Sequence, residues 1–225
     1  MIPLREYLPL RRPPVVTWAL ILINVFVYIY FFGVAISPTD AQFAQVQQYM
    51  VVPAEIAQGH HLDTLITAMF LHANILHIGG NMLFLHVFGN NVEDALGRVK
   101  YLFFYLACGV VAGLAQSFVD PTSTVPSLGA SGAIAGVLAA FMVMYPRAQI
   151  ETLALFGFIP LFFKLPALIF IGIWIVLQFV SGIAQFGLST QVAQGGVGYF
   201  AHIGGFLSGL VLLYAIRPRP HETWN

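Results

Sequence analysis

The chain has 225 residues, of which 59% are hydrophobic and only 8% are charged. Ordinary soluble domains contain about 25% charged residues, so a water-soluble fold of this size could not cover its surface with so few charges. The formal net charge of zero gives no reason to expect a nucleic-acid partner. The composition therefore predicts an integral membrane protein.

Six apolar stretches are candidates for membrane-spanning helices, since a span needs about 20 residues. The first stretch is too long for the apolar part of a cleavable signal, and no small-residue cleavage site follows it. We therefore predict an all-α membrane protein, a bundle of six transmembrane helices. In chain order the predicted spans are 15–34, 74–90, 99–119, 129–145, 159–185 and 199–216.

The positions of the cations test the number of spans. With six spans, all nine lysine and arginine residues fall on one side of the membrane, and the three connections on the other side carry none. The positive-inside rule assigns the cation side, and both termini with it, to the cytoplasm. The nine cations are Arg5, Arg11, Arg12, Arg98, Lys100, Arg147, Lys164, Arg217 and Arg219.

The first connection, residues 35–73, is too long to be a plain link between two spans. It mixes apolar residues with Pro53 and the pair His60-His61, and we expect it to form a structure on the outer face, partly in the membrane interface. We assign the two histidines to a loop and to no metal site. The single cysteine, Cys108, lies in an apolar run, so an intramolecular disulfide and a four-cysteine metal site are excluded.

Four polar side chains stand out within the predicted spans, where a polar group is costly and needs a reason. His77 and Asn81 are four residues apart in the second span, so they share one face of a helix. Ser131 follows Gly129-Ala130 at the start of the fourth span, and His202 lies near the start of the sixth. Both helices run from the outer side towards the cation side.

Ser131 and His202 are predicted to lie at the same depth in the membrane. Ser131 precedes Arg147 by 16 residues, and His202 precedes Arg217 by 15. At 1.5 Å per residue, both lie about 22–24 Å from the cation side. In a hydrocarbon core about 30 Å thick, they are then several ångströms below the outer surface.

Small residues at four-residue spacing predict that the fourth and sixth spans approach each other closely, as membrane helices do where glycine and alanine face each other. We expect the Ser131 hydroxyl to lie roughly 2.6–3.5 Å from a ring nitrogen of His202. The small residues are Gly132, Gly136 and Ala140 in the fourth span and Ala201, Gly205 and Gly209 in the sixth.

These residue types suit nucleophilic catalysis. A serine hydroxyl is a weak nucleophile unless a nearby base takes its proton, and a neutral His202 can do so. Free N–H groups at the helix N-terminus that Ser131 begins, together with donors from His77 and Asn81, would stabilise a developing oxyanion.

Other catalytic arrangements lack their residues. Glu93 and Asp94 lie near the cation-side end of the second span, so no carboxylate is expected at the depth of Ser131 and His202. The sequence therefore predicts a dyad without the acid of a triad. It contains no H-E-x-x-H motif, which argues against a zinc metalloprotease of that type.

Several short segments resemble the motifs of rhomboid proteases, in the same order and on the corresponding spans. The resemblance covers about residues 14–216. The family's G-x-S-G motif resembles Gly129-Ala130-Ser131-Gly132, and its last-helix histidine motif is similar to Ala201-His202 followed by Gly205. The family's second-helix pattern H-x(4)-H-x(3)-N matches His72, His77 and Asn81. The end of that helix resembles Glu93-Asp94-Ala95-Leu96-Gly97.

The resemblance implies the six-helix rhomboid fold of the prokaryotic type over residues 14–216, between a cytoplasmic segment 1–13 and a cytoplasmic tail 217–225. It implies a serine endopeptidase of the bacterial plasma membrane that uses no cofactor and no metal. Its substrates would be membrane-anchored proteins, cut in or near their transmembrane segments.

By the same resemblance, Ser131 and His202 form the catalytic dyad. His77, Asn81 and the backbone N–H of Ser131 form the oxyanion hole. Ala135 stands where some relatives have a tyrosine that stacks on the histidine, so the resemblance does not supply the group that orients His202.

A second departure lies in the first outer loop, where Asp63-Thr64 replaces the Trp-Arg of some relatives. The fifth span, with its Phe and Leu residues and Trp174, is expected to be a lipid-facing or gating surface without a cofactor role. His72 and His86 are expected to have structural roles.

Two other classes of function would show different sequence features. A non-catalytic rhomboid-like protein that binds or escorts membrane proteins would be marked by loss of Ser131 or His202, and both are present. A transporter or channel would be marked by inverted repeats or by charged residues deep within spans; the sequence has no inverted repeats, and Lys100 and Lys164 lie towards the cation-side ends of their spans.

Overall fold

The computed structural model describes residues 1–31, 40–187 and 198–216, which are mostly helical. From Gly195, Gly196 and Gly198 the sequence also predicts that segment 186–198 caps Ser131 and His202. Residues 188–197 of this segment and the tail 217–225 lie outside the described residues. In chain order the elements are β1 (Ile2–Glu6), α1 (Val15–Tyr30), α2 (Asp40–Gln47), α3 (Pro53–Ala57), α4 (Thr64–Thr67), the 3-10 helix Ala68–Phe70, α5 (Ile75–Leu96), α6 (Arg98–Val119), α7 (Ser131–Met144), β2 (Gln149–Phe156), β3 (Ile159–Pro166), α8 (Ala167–Gly187) and α9 (Tyr199–Ile216).

Each of the six predicted spans contains one long helix, namely α1 and α5 to α9. By length and composition, three helices of the described residues could cross a membrane: Arg98–Val119, Ala167–Ala184 and Tyr199–Ile216. Helix α5 passes the same test together with Thr64–Phe70, from which it is bent by 96°. The apolar helices α1 and α7 are shorter, at 16 and 14 residues. The chain is thus a membrane protein with three or four candidate spans in the described residues.

Helix α7 lies inside the bundle. Every residue from Gly132 to Phe141 is buried, and the helix contacts α5, α6, α8 and α9. A helix that is apolar on all sides is expected in such a position, because each of its faces meets another helix. The short α7 is therefore surrounded by protein along most of its length.

The prediction of an all-α fold is wrong in one region, because β1, β2 and β3 form a three-stranded antiparallel sheet. Residues 159–166, assigned to the fifth span, form β3, and α8 begins only at Ala167. Proline disfavours a helix interior, and Pro160 and Pro166 border this short run. Gly157, at φ 61°, begins the two-residue turn between β2 and β3. A short apolar run does not by its periodicity separate a strand from a helix.

Hydrogen bonds to the Glu93 side chain hold the start of α1 against the end of α5. Its carboxylate is almost fully buried and accepts hydrogen bonds from the backbone N–H groups of Val16 and Thr17, at 3.0 and 2.7 Å. The Thr17 hydroxyl donates a third bond, at 2.8 Å. These N–H groups have no partner within their own helix, and a negative charge at a helix N-terminus is favourable.

The described part of the long first connection, residues 40–73, holds short helices and contacts the segment that precedes α7. Val51 and Ser127 exchange two backbone hydrogen bonds, at 3.0 and 2.8 Å. The N–H of Gly129 donates to the carbonyl oxygen of Ala68, at 2.8 Å. These bonds fix the backbone just before Ser131.

Candidate active site

Ser131 is the first residue of α7 and follows a glycine that cannot be replaced without strain. Gly129 has a φ of 126°, which residues with a side chain rarely adopt. A Cβ at this position would also lie 2.8 Å from Nε2 of His77. The first N–H groups of a helix have no partner within it, so the start of α7 presents free donors beside Ser131.

The Ser131 hydroxyl oxygen lies 2.7 Å from Nε2 of His202, within the range expected from the sequence. This contact depends on close packing of α7 and α9. A Cβ at Gly209 would lie 2.6 Å from Cα of Gly136, and one at Gly205 would overlap the carbonyl group of Gly132. The close approach predicted from the small residues is therefore observed at two successive turns.

The other ring nitrogen of His202 faces Gln178 of α8. Nδ1 lies 2.8 Å from the amide oxygen of Gln178, and the amide nitrogen of Gln178 donates to the carbonyl oxygen of Trp174, at 3.3 Å. Because an amide oxygen only accepts hydrogen bonds, Nδ1 carries the proton in this arrangement. Nε2 then has a free lone pair for the Ser131 hydroxyl.

Trp174 packs against the ring of His202, with the ring centroids 5.6 Å apart and the planes at 38°. The lipid-facing or gating surface expected of the fifth span stays a prediction, and within it the half-buried Trp174 packs on the histidine. Ala135, where some relatives have an aromatic residue, is fully buried. The aromatic ring on His202 thus comes from α8 instead of α7.

Sequence reasoning missed Gln178, although a signal was present. An amide within a membrane span is costly unless it turns towards the interior of the protein. Trp174 and Gln178 are four residues apart, so the two side chains lie on one face of α8. That face is the one that meets His202.

His77 and Asn81 approach the segment before Ser131 from α5. The Ala73 N–H donates to Nδ1 of His77 at 3.4 Å, which leaves the proton on Nε2. A Cβ at Gly129 would lie 3.7 Å from Nδ2 of Asn81, and this buried amide nitrogen has no partner in the described part of the chain. Two donors are therefore directed at Gly129, two residues before Ser131.

The structure also places His72 next to this group. Its ring lies 5.1 Å from that of His77 at 67°, and its side chain is buried. The structural role expected for His72 stays a prediction. His86, in contrast, is exposed and contacts the ring of Trp18 at 5.2 Å, on a part of α5 two turns beyond His77.

Residues 59–219 match the family model of the rhomboid domain. The chain is 28% identical over 204 residues to Rhomboid protein 1, mitochondrial, of Saccharomyces cerevisiae, which covers 89% of this chain and 53% of that protein. It is 32% identical over 164 residues to Rhomboid-like protein 11, chloroplastic, of Arabidopsis thaliana, with 71% and 54% covered. The chain thus spans about half the length of these relatives.

A third relative matches over a shorter segment. The Presenilin-associated rhomboid-like protein, mitochondrial, of Homo sapiens is 33% identical over 101 residues, 44% of this chain and 25% of that protein. The organelles in these names give no support to the predicted bacterial plasma membrane. The family match itself covers well over half of the chain and includes His77, Asn81, Ser131 and His202. The chain is a membrane protein that belongs to the rhomboid family.

Proposed function

We propose that the chain is an intramembrane serine endopeptidase that cleaves membrane-anchored proteins in or near their transmembrane segments. Ser131 is the nucleophile and His202 is the base. The observation that carries this proposal is the 2.7 Å contact between the Ser131 hydroxyl and Nε2 of His202, whose other nitrogen is held as N–H by Gln178. Rhomboid proteins are generally intramembrane serine proteases, which supports the same function.

The proposed reaction has two halves. The Ser131 oxygen attacks the carbonyl carbon of the scissile peptide bond while Nε2 of His202 takes the hydroxyl proton. When the tetrahedral intermediate collapses, the C–N bond breaks and the imidazolium gives this proton to the leaving amine. A water molecule, deprotonated by the neutral histidine, then hydrolyses the acyl ester and regenerates the serine.

The oxyanion of the tetrahedral intermediate needs donors that are already in place. We assign this role to Nε2–H of His77, to the side-chain amide of Asn81 and to the backbone N–H of Ser131. The support is the amide nitrogen of Asn81, which has no partner among the described residues, and the proton that Ala73 leaves on Nε2 of His77. A buried donor without a partner is costly, and an active site is one place where such a cost is found.

The proposal includes six spans, with both termini on the cation side of the membrane. Its support is the one-sided distribution of lysine and arginine in the sequence. The short helices α1 and α7 would then require a locally thinned bilayer or burial within the bundle. For α7, the burial of residues 132–141 supplies this condition.

The test is labelling by a fluorophosphonate together with cleavage of a membrane-anchored model protein in proteoliposomes. We expect the purified protein to be labelled at Ser131, and Ser131→Ala and His202→Ala to abolish both labelling and cleavage. Ser208→Ala is the matched control, because the hydroxyl of this α9 serine donates to the Gly205 carbonyl oxygen, at 2.8 Å. It should remain active.

Substantial cleavage by Ser131→Ala would contradict the mechanism. A wild-type protein that folds but neither reacts with the probe nor cleaves would support the second candidate, a non-catalytic rhomboid-like protein that binds or escorts membrane proteins.

A further inference from the structure

Gln178 is a polar residue on a mostly apolar helix. Its neighbours in sequence, Val176, Leu177, Phe179 and Val180, are all exposed apolar side chains, as expected of a surface that faces lipid. An amide on such a helix is costly unless its donors and its acceptor are satisfied within the protein. The side chain of Gln178 is half-buried and is hydrogen-bonded at both ends.

The two bonds fix which end of the amide meets the histidine. The NH2 group donates to the carbonyl oxygen of Trp174, one turn earlier in α8, so the amide oxygen faces Nδ1 of His202 at 2.8 Å. Reversing the amide would set its oxygen against the Trp174 carbonyl oxygen, an acceptor against an acceptor, and its NH2 group against the Nδ1–H. The Trp174 carbonyl oxygen, in the backbone of α8, therefore orients the amide so that its oxygen accepts a hydrogen bond from Nδ1.

We propose that Gln178 is the positioning residue of His202 and takes the place that an acid has in a Ser-His-Asp triad, an inference that rests on the proposed function. The amide oxygen holds the proton on Nδ1 and aims the lone pair of Nε2 at Ser131. It also stabilises the imidazolium that forms when the serine loses its proton, though less than a carboxylate would. A neutral amide avoids placing a charge in the membrane.

Two substitutions separate this role from a purely structural one. Gln178→Leu keeps a side chain of similar volume but removes the hydrogen-bond acceptor. Gln178→Glu keeps an acceptor and adds a negative charge. Gln116→Leu is the matched control: this α6 glutamine also accepts a hydrogen bond from α9, but from a backbone group, the Ala201 N–H, at 3.2 Å.

The measurement is the rate constant for labelling by a fluorophosphonate as a function of pH, on protein in detergent. Gln178→Leu should lower the rate by about 10- to 100-fold, a part of the 10²–10⁴ that a general base contributes. Its acid limb should move to lower pH, because the imidazolium loses a stabilising partner. Gln178→Glu should recover much of the rate at high pH, with the acid limb moved to higher pH.

His77 of α5 is a titratable group that acts on His202 from a neighbouring helix, and it is unchanged in all these variants. It therefore contributes equally to every profile. Gln116→Leu should keep the wild-type profile. All variants are compared by their thermal unfolding in detergent, so that a loss of folding is seen directly.

The outcomes are distinct. If folded Gln178→Leu keeps the wild-type rate and acid limb, or if Gln178→Glu moves the limb no differently from Gln178→Leu, the positioning role is wrong. If Ser131→Ala is still labelled at the wild-type rate, the proposed function itself fails. If Ser131→Ala is inert and Gln178→Leu is unaffected, only the positioning role fails.

A second observation concerns the hairpin formed by β2 and β3, whose tip is apolar and exposed. The exposed fraction of the side chain is 75% for Phe156, 103% for Phe158 and 63% for Phe162. Exposed apolar clusters of this kind mark contact with a partner or with a membrane. β3 leads directly into α8, so the tip is continuous with a helix that could cross the membrane.

Cations accompany this hairpin. The ammonium group of Lys164, on β3, lies 4.3 Å from the ring centroid of Tyr7, and Arg5 lies 6.0 Å from the same centroid. We infer that the hairpin tip inserts Phe156 and Phe158 into the interface of the leaflet on the cation side. Lys164 and Arg5 lie towards the other end of the hairpin, where both pair with Glu151 in the sheet, so the tip itself carries only apolar side chains into the lipid.

The test uses an environment-sensitive dye on Phe158→Cys. Cys108 is buried, and the wild-type chain carried through the same labelling serves as the blank. Gln149→Cys, at the exposed far end of β2, is the control. The proteins are placed in vesicles of phosphatidylcholine and phosphatidylglycerol, with or without brominated acyl chains.

A dye at residue 158 should be quenched several-fold more by brominated lipid than a dye at residue 149, and less by aqueous iodide. Equal quenching by iodide at both positions would overturn the inference. Protection from both quenchers at residue 158 would also overturn it, because it would indicate contact with protein instead of lipid.

Discussion

Gly205 of α9 faces the backbone of Gly132 in α7, and no side chain fits between them. A Cβ at Gly205 would overlap the Gly132 carbonyl group, and the same arrangement recurs one turn later with Gly209 and Gly136. Ser131 and His202 lie immediately next to this contact. The distance between the Ser131 hydroxyl and Nε2 of His202 is therefore set by the separation of two helix backbones.

Gly205→Ala should separate α7 from α9 and slow the reaction. Overpacking of this kind costs about 1–3 kcal/mol. We expect a lower thermal unfolding midpoint and slower fluorophosphonate labelling. The matched control is Gly172→Ala in α8, where no atom lies within 4 Å of the added Cβ. An unchanged midpoint for Gly205→Ala would contradict the close packing.

The two side-chain donors of the oxyanion hole should act on the rate of the chemical step. His77→Ala and Asn81→Ala should each lower kcat by about 10²–10³-fold, with a smaller change in KM, since the oxyanion exists only in the transition state. Asn90→Ala is a matched control, because Asn90 lies on the same helix and is equally buried. Full activity in both single variants and in the double variant would exclude this assignment.

The aromatic contact on His202 gives a different expectation from the hydrogen bond to Gln178. Trp174→Leu should slow labelling by about two- to tenfold, since an aromatic pair contributes about 0.5–1.5 kcal/mol. It should leave the acid limb of the pH profile in place, because the indole accepts no bond from Nδ1. Trp174→Phe should retain most of the rate. A shifted acid limb in folded Trp174→Leu would refute this division of roles.

The carboxylate of Glu93 should stabilise the fold by holding α1 on α5. Glu93→Gln replaces a charged acceptor of three hydrogen bonds and should lower the free energy of unfolding by about 1–3 kcal/mol. Asp94→Asn is the control, since Asp94 accepts an exposed bond from the Arg11 N–H. Denaturant unfolding measures both. A smaller loss for Glu93→Gln than for Asp94→Asn would count against this role.

The sequence predicted the long helices and the meeting of Ser131 with His202, because both depend on simple periodicities. Apolar length marks a helix in a membrane, and a fixed rise per residue gives depth. Glycine spacing then showed which faces of α7 and α9 could meet. Each of these three predictions uses only the sequence of one helix, or of one helix face, at a time.

Gln178 and Trp174 could not be placed in this way. Helix α8 is apolar around most of its circumference, so hydropathy does not show which face turns inward. The sheet was missed for a related reason, since β1 lies far from β2 in the sequence and its pairing leaves no local periodic signal. Long-range pairing and helix rotation are both tertiary properties.

The pairing of β1 with β2 has a consequence for biosynthesis. Ile2 lies opposite Leu153 in the sheet, so this residue meets a partner that the ribosome makes about 150 residues later. Until β2 is made, β1 has no strand to pair with, and closing so large a loop is slow. We expect residues 2–6 to be open to proteases in nascent chains that end before β2 and protected once β3 has emerged. Strand β1 would then pair only after α1, α5, α6 and α7 have been made.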